Sequence, residues 1–111
     1  IIAQCISNAC RKSDLCARWG GEEFIIFLPE TDQSPALEQV ERIRLAIETL
    51  SIPIQGTYLS ITASFGVAGT NANIFNRQRL KYNSLEPIIS EADSALYLAK
   101  SSGKNQVKHT L

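Results

Sequence analysis

Gly20-Gly21-Glu22-Glu23-Phe24-Ile25-Ile26-Phe27-Leu28 joins a glycine pair and two acids to an apolar run. The segment Leu15-Cys16-Ala17-Arg18-Trp19 precedes it directly. A glycine pair between two such segments is a two-residue hairpin signal, because glycine takes the positive φ of primed turns at no steric cost. The sequence therefore predicts two adjacent strands, with the glycine pair at the tip.

The predicted tip has the composition of a site for a charged ligand. Glycines have no side chains, so a phosphate or ribose group can approach the main chain. Successive strand residues point to opposite faces, so we expect only one of Glu22 and Glu23 to reach a given metal or nucleotide and the other to orient a neighbour. The same residues are also compatible with a solvated turn carrying two exposed acids, and this alternative stays open.

Composition limits the functions open to the chain. Its 111 residues fit one small domain. With 44% apolar and 20% charged residues, and no run near the roughly 20 apolar residues of a membrane span, the composition is that of an ordinary globular protein. The 11 basic residues equal the 11 acidic ones, so no broad basic surface is available for sequence-independent nucleic-acid binding.

Cysteine number and the start of the chain indicate its context. Cys5, Cys10 and Cys16 are odd in number and form no C-x-x-C pair, which argues against a disulfide framework or zinc site and predicts reduced, partly buried thiols. The chain begins at Ile1 without methionine or a signal-peptide pattern, so we expect it to have been cut from a longer protein.

Hydrophobic spacing predicts helices before and after the hairpin. Apolar residues recur at helical spacing from the start of the chain to about Cys10. Ser34-Pro35 supplies a cap and a first-turn proline for a second helix. The core face of that helix contains five apolar residues: Leu37, Val40, Ile43, Ile47 and Leu50.

The C-terminal half has one predicted strand, one helix and a short last strand. Pro53 and Gly56 predict a loop, and alternation from residue 59 to residue 67 predicts a strand with one buried face. Residues 69–83 are rich in polar side chains and predict a long surface loop. A helix capped by Ser84 and ended by Gly103 follows, and then a strand near residues 106–109. This element order predicts an α+β fold with an antiparallel or mixed sheet covered by helices.

Separated segments together resemble the GGDEF family, the catalytic domain of diguanylate cyclases. Residues 20–24 match its signature with Glu at the third position, and Arg18-Trp19 resembles its lead-in. Ile61-Thr62-Ala63-Ser64-Phe65-Gly66-Val67-Ala68 resembles its T-x-S-x-G-V-A strand. Residues 92–105 are similar to its A-D-x-A-L-Y-x-A-K-x-x-G-R-N segment, with Lys104 in place of the arginine. The resemblance implies the palm-like, ferredoxin-like fold of nucleotidyl cyclases, in a cytoplasmic domain.

A further element is Arg11-Lys12-Ser13-Asp14, an R-x-x-D at the spacing of the family's product-inhibition site. An arginine fork binds phosphate or a guanine edge, and a nearby aspartate can accept from guanine N–H groups. The resemblance thus implies that Arg11 and Asp14 bind cyclic di-GMP. A local turn bridge between the two side chains is the alternative.

For mechanism, the resemblance implies condensation of two GTP molecules to cyclic di-GMP by a homodimer, with one GTP on each subunit. Glu22 is then the ligand of Mg²⁺, or Mn²⁺, and Glu23 shapes the active site. Gly20 and Gly21 give the main chain room beside the nucleotide. Lys100 and Lys104 are expected one helical turn apart, where both reach the β- and γ-phosphates. Both lysines also suit the negative end of a helix without any ligand.

One part of the family pattern does not occur in the sequence. The family carries a D-x-D-x-F-K-x-x-N-D-like segment on a first strand, which supplies another carboxylate for the metal, a phosphate cradle and guanine recognition. No D-x-D or F-K occurs between Ile1 and Leu111. We therefore expect a partial domain without its first strand, preceded in the full-length protein by a sensory domain and inactive when isolated. The alternative function is a non-catalytic module that senses cyclic di-GMP or GTP.

Overall fold

The computed structural model describes residues 2–69 and 86–110, in two compact units with a boundary between residues 61 and 62. The first unit contains six elements: α1 (Ile2–Ala9), β1 (Leu15–Gly20), β2 (Glu23–Phe27), α2 (Gln33–Glu48), β3 (Ile52–Ile54) and β4 (Thr57–Leu59). The second contains β5 (Phe65–Val67), α3 (Glu86–Ser101) and β6 (Val107–His109). Helices, antiparallel pairs and a parallel pair together confirm the predicted α+β class.

Helices α1 and α2 form the core of the first unit. Ile6 of α1 is buried, and α1 packs against α2. Five α2 residues at helical spacing are buried: Ala36, Gln39, Val40, Ile43 and Ile47. The predicted apolar face is thus confirmed at three positions, whereas Leu37 is half-buried and Leu50 follows the end of the helix.

The start of α2 differs from the prediction. Asp32, with extended backbone, is the N-cap, and its carbonyl accepts from the Ala36 N–H at 3.0 Å. The helix therefore begins before the predicted Ser34 cap. Pro35 still lies in the first turn, where its missing N–H costs no helical hydrogen bond because those donors have no intrahelical partner.

The predicted loop around Pro53 and Gly56 is a hairpin. Strands β3 and β4 pair antiparallel, and the turn residues Gln55 and Gly56 have φ values of 47° and 81°. Positive φ at both central positions is the signature of a type I′ turn. The predicted strand over residues 59–67 was therefore wrong in extent, because Leu59 pairs with Ile52 while only residues 65–67 form the next strand.

In the second unit, α3 packs on the parallel pair β5 and β6. Ala95 and Ala99 of α3 are buried. A Cβ on Gly66 would lie 2.9 Å from the Leu96 Cα and would also meet the Ala92 carbonyl oxygen and the Leu96 nitrogen. Glycine at this position is what lets the helix approach the strand, and the predicted terminal strand is confirmed at residues 107–109.

The thiols, the lengths of the helices and the limits of the described residues bear on the remaining predictions. Cys5, Cys10 and Cys16 are free and half-buried, as expected. Burial raises the pKa of the Cys16 thiol. No helix within residues 2–69 and 86–110 has the length and apolarity needed to cross a membrane. The predicted loop at 69–83, apart from residue 69, and the Ser84 cap lie outside the described residues.

Candidate functional site

The glycine hairpin turns one residue later than predicted. Gly20 pairs with Glu23, so Gly21 and Glu22 form the two-residue tip. Gly21 has φ +53°. Glu22 is not among the residues of positive φ, and this combination matches the φ signs of a type II′ turn, in which glycine takes the first central position. Since Glu22 lies in the turn, strand alternation does not determine its direction relative to Glu23.

Arg18 supports the hairpin tip, a role that the sequence analysis missed. Its Nε and Nη2 donate to the Gly21 carbonyl oxygen at 3.2 and 3.1 Å. Its guanidinium also lies 5.8 Å from the centre of the Phe24 ring, its cross-strand partner. Trp19 lies at a register shift between Arg18 and Gly20 and is 62% exposed. No signal for this contact was available in the sequence, because the predicted tip would pair Arg18 with Glu23 and only the register shift places Arg18 opposite Phe24.

The residues of the hairpin tip are exposed. Gly20 does not have a positive φ, and a Cβ built on it meets no atom within 4 Å. Neither backbone conformation nor packing within the described residues therefore requires glycine there. Glu22 and Glu23 are exposed and have no hydrogen-bond or ionic partner in the described part of the chain. The tip thus presents main chain without side chains at its two glycines and, among the described residues, two carboxylates without a partner.

Arg11 and Asp14 form the local bridge that the sequence left as an alternative. Arg11 donates to the Asp14 Oδ2 from its backbone nitrogen at 2.8 Å and from Nε at 3.4 Å, and to Oδ1 from Nη2 at 3.1 Å. The same Nη2 donates to the Thr31 Oγ1 at 2.5 Å. The Arg11 side chain is 49% exposed, whereas that of Asp14 is fully buried.

Gln39 completes the surroundings of the Asp14 carboxylate. Its Nε2 donates to the Asp14 Oδ2 at 2.7 Å. Burial tends to raise the pKa of Asp14, but the hydrogen bonds from Arg11 and Gln39 outweigh it and hold that pKa below its ordinary value. The aspartate is therefore a fixed anion that orients Arg11. Gln39 was not among the residues predicted from the sequence, although a glutamine among apolar core positions is the signal that could have identified it.

The two lysines are not arranged as predicted. Lys100 lies in the last turn of α3, which ends at Ser101, and Lys104 follows Gly103 beyond that end. Gly103 has φ +114°, and the Lys104 N–H donates to the Ala99 carbonyl oxygen at 2.9 Å, which is the geometry of a glycine C-cap. The prediction of one helical turn between the lysines was therefore wrong, because the helix has ended before Lys104. Both side chains are exposed.

The segment after the glycine cap has unusual backbone conformation. Lys104 and Asn105 have φ values of 64° and 47°, a region costly for residues with a Cβ. Hydrogen bonds hold them there: the Asn105 N–H donates to the Ser64 Oγ at 3.1 Å, and the Gln106 Nε2 donates to the Lys104 carbonyl oxygen at 3.1 Å. Strain of this kind is common at ligand sites. Ser64, part of the strand motif quoted above, thus serves as a hydrogen-bond acceptor.

The candidate residues are divided between the two units. The hairpin tip, Arg11 and Asp14 lie in the first, whereas Lys100 and Lys104 lie in the second. Within residues 2–69 and 86–110 there is no group of three or more side chains of the metal-binding types His, Cys, Asp and Glu.

Comparisons with known proteins identify the family. The model of the diguanylate cyclase GGDEF domain matches residues 1–106. Diguanylate cyclase A of Treponema denticola is 38% identical over 106 residues, which cover 96% of this chain and 26% of that protein. The chain belongs to the GGDEF domain family. It spans about a quarter of the length of this curated relative.

Solved structures share the fold. The GGDEF domain of DgcB from Caulobacter crescentus, in complex with c-di-GMP, is 26% identical with a TM-score of 0.78, covering 97% of this chain and 60% of that one. The active GGEEF domain of a diguanylate cyclase from Vibrio cholerae is 25% identical with a TM-score of 0.71, covering 99% and 64%. The predicted family and its fold are thereby confirmed.

Proposed function

We propose that the chain belongs to a catalytic domain that condenses two GTP molecules to cyclic di-GMP and two pyrophosphates. Gly20 is the observation that carries the proposal. The fold of the described residues does not require glycine there, so the absent side chain leaves room for a ligand against the main chain. Membership of a family named for diguanylate cyclases supports a nucleotide as that ligand.

The reaction has two equivalent halves in a homodimer. Each subunit holds one GTP, and the 3′-hydroxyl of each nucleotide attacks the α-phosphate of the other. A phosphodiester bond forms, the bond to pyrophosphate breaks, and the hydroxyl proton is lost, once in each half. Gly20 and Gly21 bind against the nucleotide, Glu23 shapes the site, and Lys100 and Lys104 neutralise the β- and γ-phosphates.

Glu22 is the residue we propose for binding the metal. Mg²⁺ is commonly held by one or two carboxylates together with substrate phosphates, and the exposed Glu22 carboxylate, which has no partner among the described residues, suits that coordination. The bound Mg²⁺, or Mn²⁺, would supply charge neutralisation of the triphosphate. Oxygens of the nucleotide phosphates would supply further ligands.

Arg11 and Asp14 form the proposed inhibitory site for cyclic di-GMP. The Nη1 group of Arg11 has no partner in the described residues, and the side chain is half exposed. Its two N–H groups can donate to a phosphate or to a guanine edge. Asp14, buried beneath, holds the guanidinium for this contact.

Turnover by the full-length protein tests the proposal. With GTP and Mg²⁺, it should form cyclic di-GMP, and Glu22→Gln should lower the rate by at least about 100-fold. Glu38→Gln is the matched control, since Glu38 is an exposed glutamate of α2 in the same unit. Equal rates for both variants would refute the metal role of Glu22. The isolated chain lacks a D-x-D segment and should form no product.

A non-catalytic sensor of cyclic di-GMP is the second candidate function. It is favoured by the Arg11, Asp14 and Gln39 network, which is fully assembled within one unit. A sensor would bind cyclic di-GMP with unchanged affinity in Glu22→Gln and would never form it from GTP. Turnover by the full-length protein excludes this candidate, and binding without turnover supports it.

The proposed context of the domain is a larger signalling protein. The match to about a quarter of the Treponema cyclase leaves room for other domains in such proteins. We propose a cytoplasmic site of action, where GTP is available, and control by a sensory domain. No role for nucleic acid is proposed, because the net charge is zero.

A further inference from the structure

Gln39 is a buried polar residue in an apolar helix face. It is 3% exposed, and it is the only polar residue on the buried face of α2. Ala36, Val40 and Ile43 lie on the same buried face of α2. An aliphatic side chain would continue this face without needing a hydrogen-bond partner, whereas a buried amide is unfavourable unless it is bonded. The side-chain amide of Gln39 therefore needs a hydrogen-bond partner inside the protein.

That partner is the carboxylate that holds Arg11. The Gln39 Nε2 donates to the Asp14 Oδ2 at 2.7 Å, the shortest of the hydrogen bonds that reach this carboxylate. Asp14 has a fully buried side chain, so a ligand in solvent does not reach it in this conformation. The amide thus connects helix α2, through Asp14, to the exposed guanidinium of Arg11.

The guanidinium is held from two directions. Nε and Nη2 donate to Asp14, and Nη2 also donates to Thr31 Oγ1. Thr31 in turn donates to the Pro29 carbonyl oxygen at 2.9 Å, which fixes the hydroxyl. Nη1 is left for a ligand. A fork already fixed in one orientation loses less rotational freedom on binding than a free arginine.

We propose that Gln39 is a positioning residue for Arg11 in the cyclic di-GMP site. The inference rests on the proposed inhibitory site and adds a residue from a different element, 25 positions along the chain from Asp14. Removing the amide leaves the carboxylate held by Arg11 alone, and the pair can then move together. Affinity for cyclic di-GMP falls, although Gln39 never touches the ligand.

The test is a calorimetric titration of the full-length protein with cyclic di-GMP. Gln39→Met keeps the length of the side chain and removes the donor, and it should weaken binding about twofold to tenfold, the effect of one side chain that must be immobilised on binding. Glu38→Met, at the exposed neighbouring position, should leave the affinity unchanged. If Gln39→Met unfolds, Gln39→Leu serves in its place, and melting temperatures verify the fold of each variant.

A double-mutant cycle separates positioning from general destabilisation. In an Arg11→Ala background, Gln39→Met should have no further effect on the remaining affinity, because the residue it positions is gone. An equal loss in both backgrounds would overturn the inference, as would unchanged affinity in the single variant. If Arg11→Ala itself binds like the unmodified protein, the proposed inhibitory site fails instead. The two failures are therefore distinguishable.

Discussion

Two glycines of the family motifs, Gly20 and Gly66, occupy contrasting environments. Gly66 lies in β5 directly against α3, where a Cβ would meet the backbone of Ala92 and Leu96. Gly20 lies at the end of β1, where a Cβ would meet no atom of the described residues within 4 Å. Neither residue has a positive φ. The same residue type is therefore required by packing in one strand and is not required by the fold in the other.

The contrast shows that a glycine in a family motif can be required by packing, as at Gly66, or have no packing requirement, as at Gly20. A glycine that packs against a helix backbone is explained by the close approach of two elements. Gly20 has no such packing explanation among the described residues, and under the proposed function its missing side chain leaves room for a ligand. A substitution at Gly66 should therefore lower stability, whereas one at Gly20 should lower turnover.

The largest effect on stability is expected for Gly66→Ala. The added methyl group would overlap backbone atoms of α3, which cannot move aside as a side-chain end can, so the free energy of unfolding should fall by about 3 kcal/mol. Urea unfolding of the chain, followed by circular dichroism, measures the change. A loss below about 0.5 kcal/mol would show that α3 moves away from β5 at little cost.

Gly20→Ala should give the opposite result. The open surroundings predict an unfolding free energy within about 0.5 kcal/mol of the original. Cyclic di-GMP formation by the full-length protein should fall about 100-fold, because the methyl group displaces the nucleotide from its position against the main chain. If turnover is undiminished, Gly20 is not part of the proposed site, and the presence of glycine at this position has no functional explanation.

Gly21→Ala should have an intermediate effect on stability. Its φ of +53° is a left-handed conformation, which costs residues with a Cβ about 1–2 kcal/mol, although there is space for the methyl group. Gly21→Asn should cost less, since asparagine tolerates this region better. Urea unfolding of both variants checks the order. Equal costs would indicate that the turn changes type when the glycine is replaced.

The last prediction concerns the pH dependence of the unfolding free energy that Asp14, the buried carboxylate of the first unit, contributes. The pKa of Asp14 is lowered on folding, so its stabilisation is complete above its ordinary pKa of about 3.9 and is lost as the pH falls through the folded value. The difference in unfolding free energy between the original chain and Asp14→Asn should therefore be constant near pH 6 and shrink below about pH 4. Urea titrations across this range measure it, and a difference that stays constant to pH 2 would contradict the assignment.

Local patterns in the sequence predicted most elements of the fold but not all their limits. Helical spacing identified α1 within one residue, and alternation located β5. Alternation alone did not show that Leu59 belongs to another hairpin, since a strand is defined by its partner as well as by its own pattern. Pro53 was interpreted as a loop residue, yet proline is compatible with an edge strand whose N–H is not needed.

The sequence predicted which residues belong to the candidate site better than it predicted where their side chains lie. The sequence indicated Glu22, Glu23 and both glycines, but a one-residue difference in register moved Glu22 from the strand into the turn. Lys104 was expected one helical turn from Lys100, but the helix ends at Ser101 and the glycine cap lies between the two lysines. The supporting roles of Arg18 and Gln39 were missed, since they depend on contacts with residues that only the fold brings close.

The amino-acid sequence by itself determined the family, the α+β class and the identity of the residues at the hairpin tip. These three properties depend on residue type and local spacing, which can be observed directly in the sequence. Only the tertiary structure decided that Gly66 is required by packing and Gly20 is not, and that Asp14 is a buried anion held by Arg11 and Gln39. Those distinctions depend on which distant atoms become neighbours, and this is settled when the helices and strands pack.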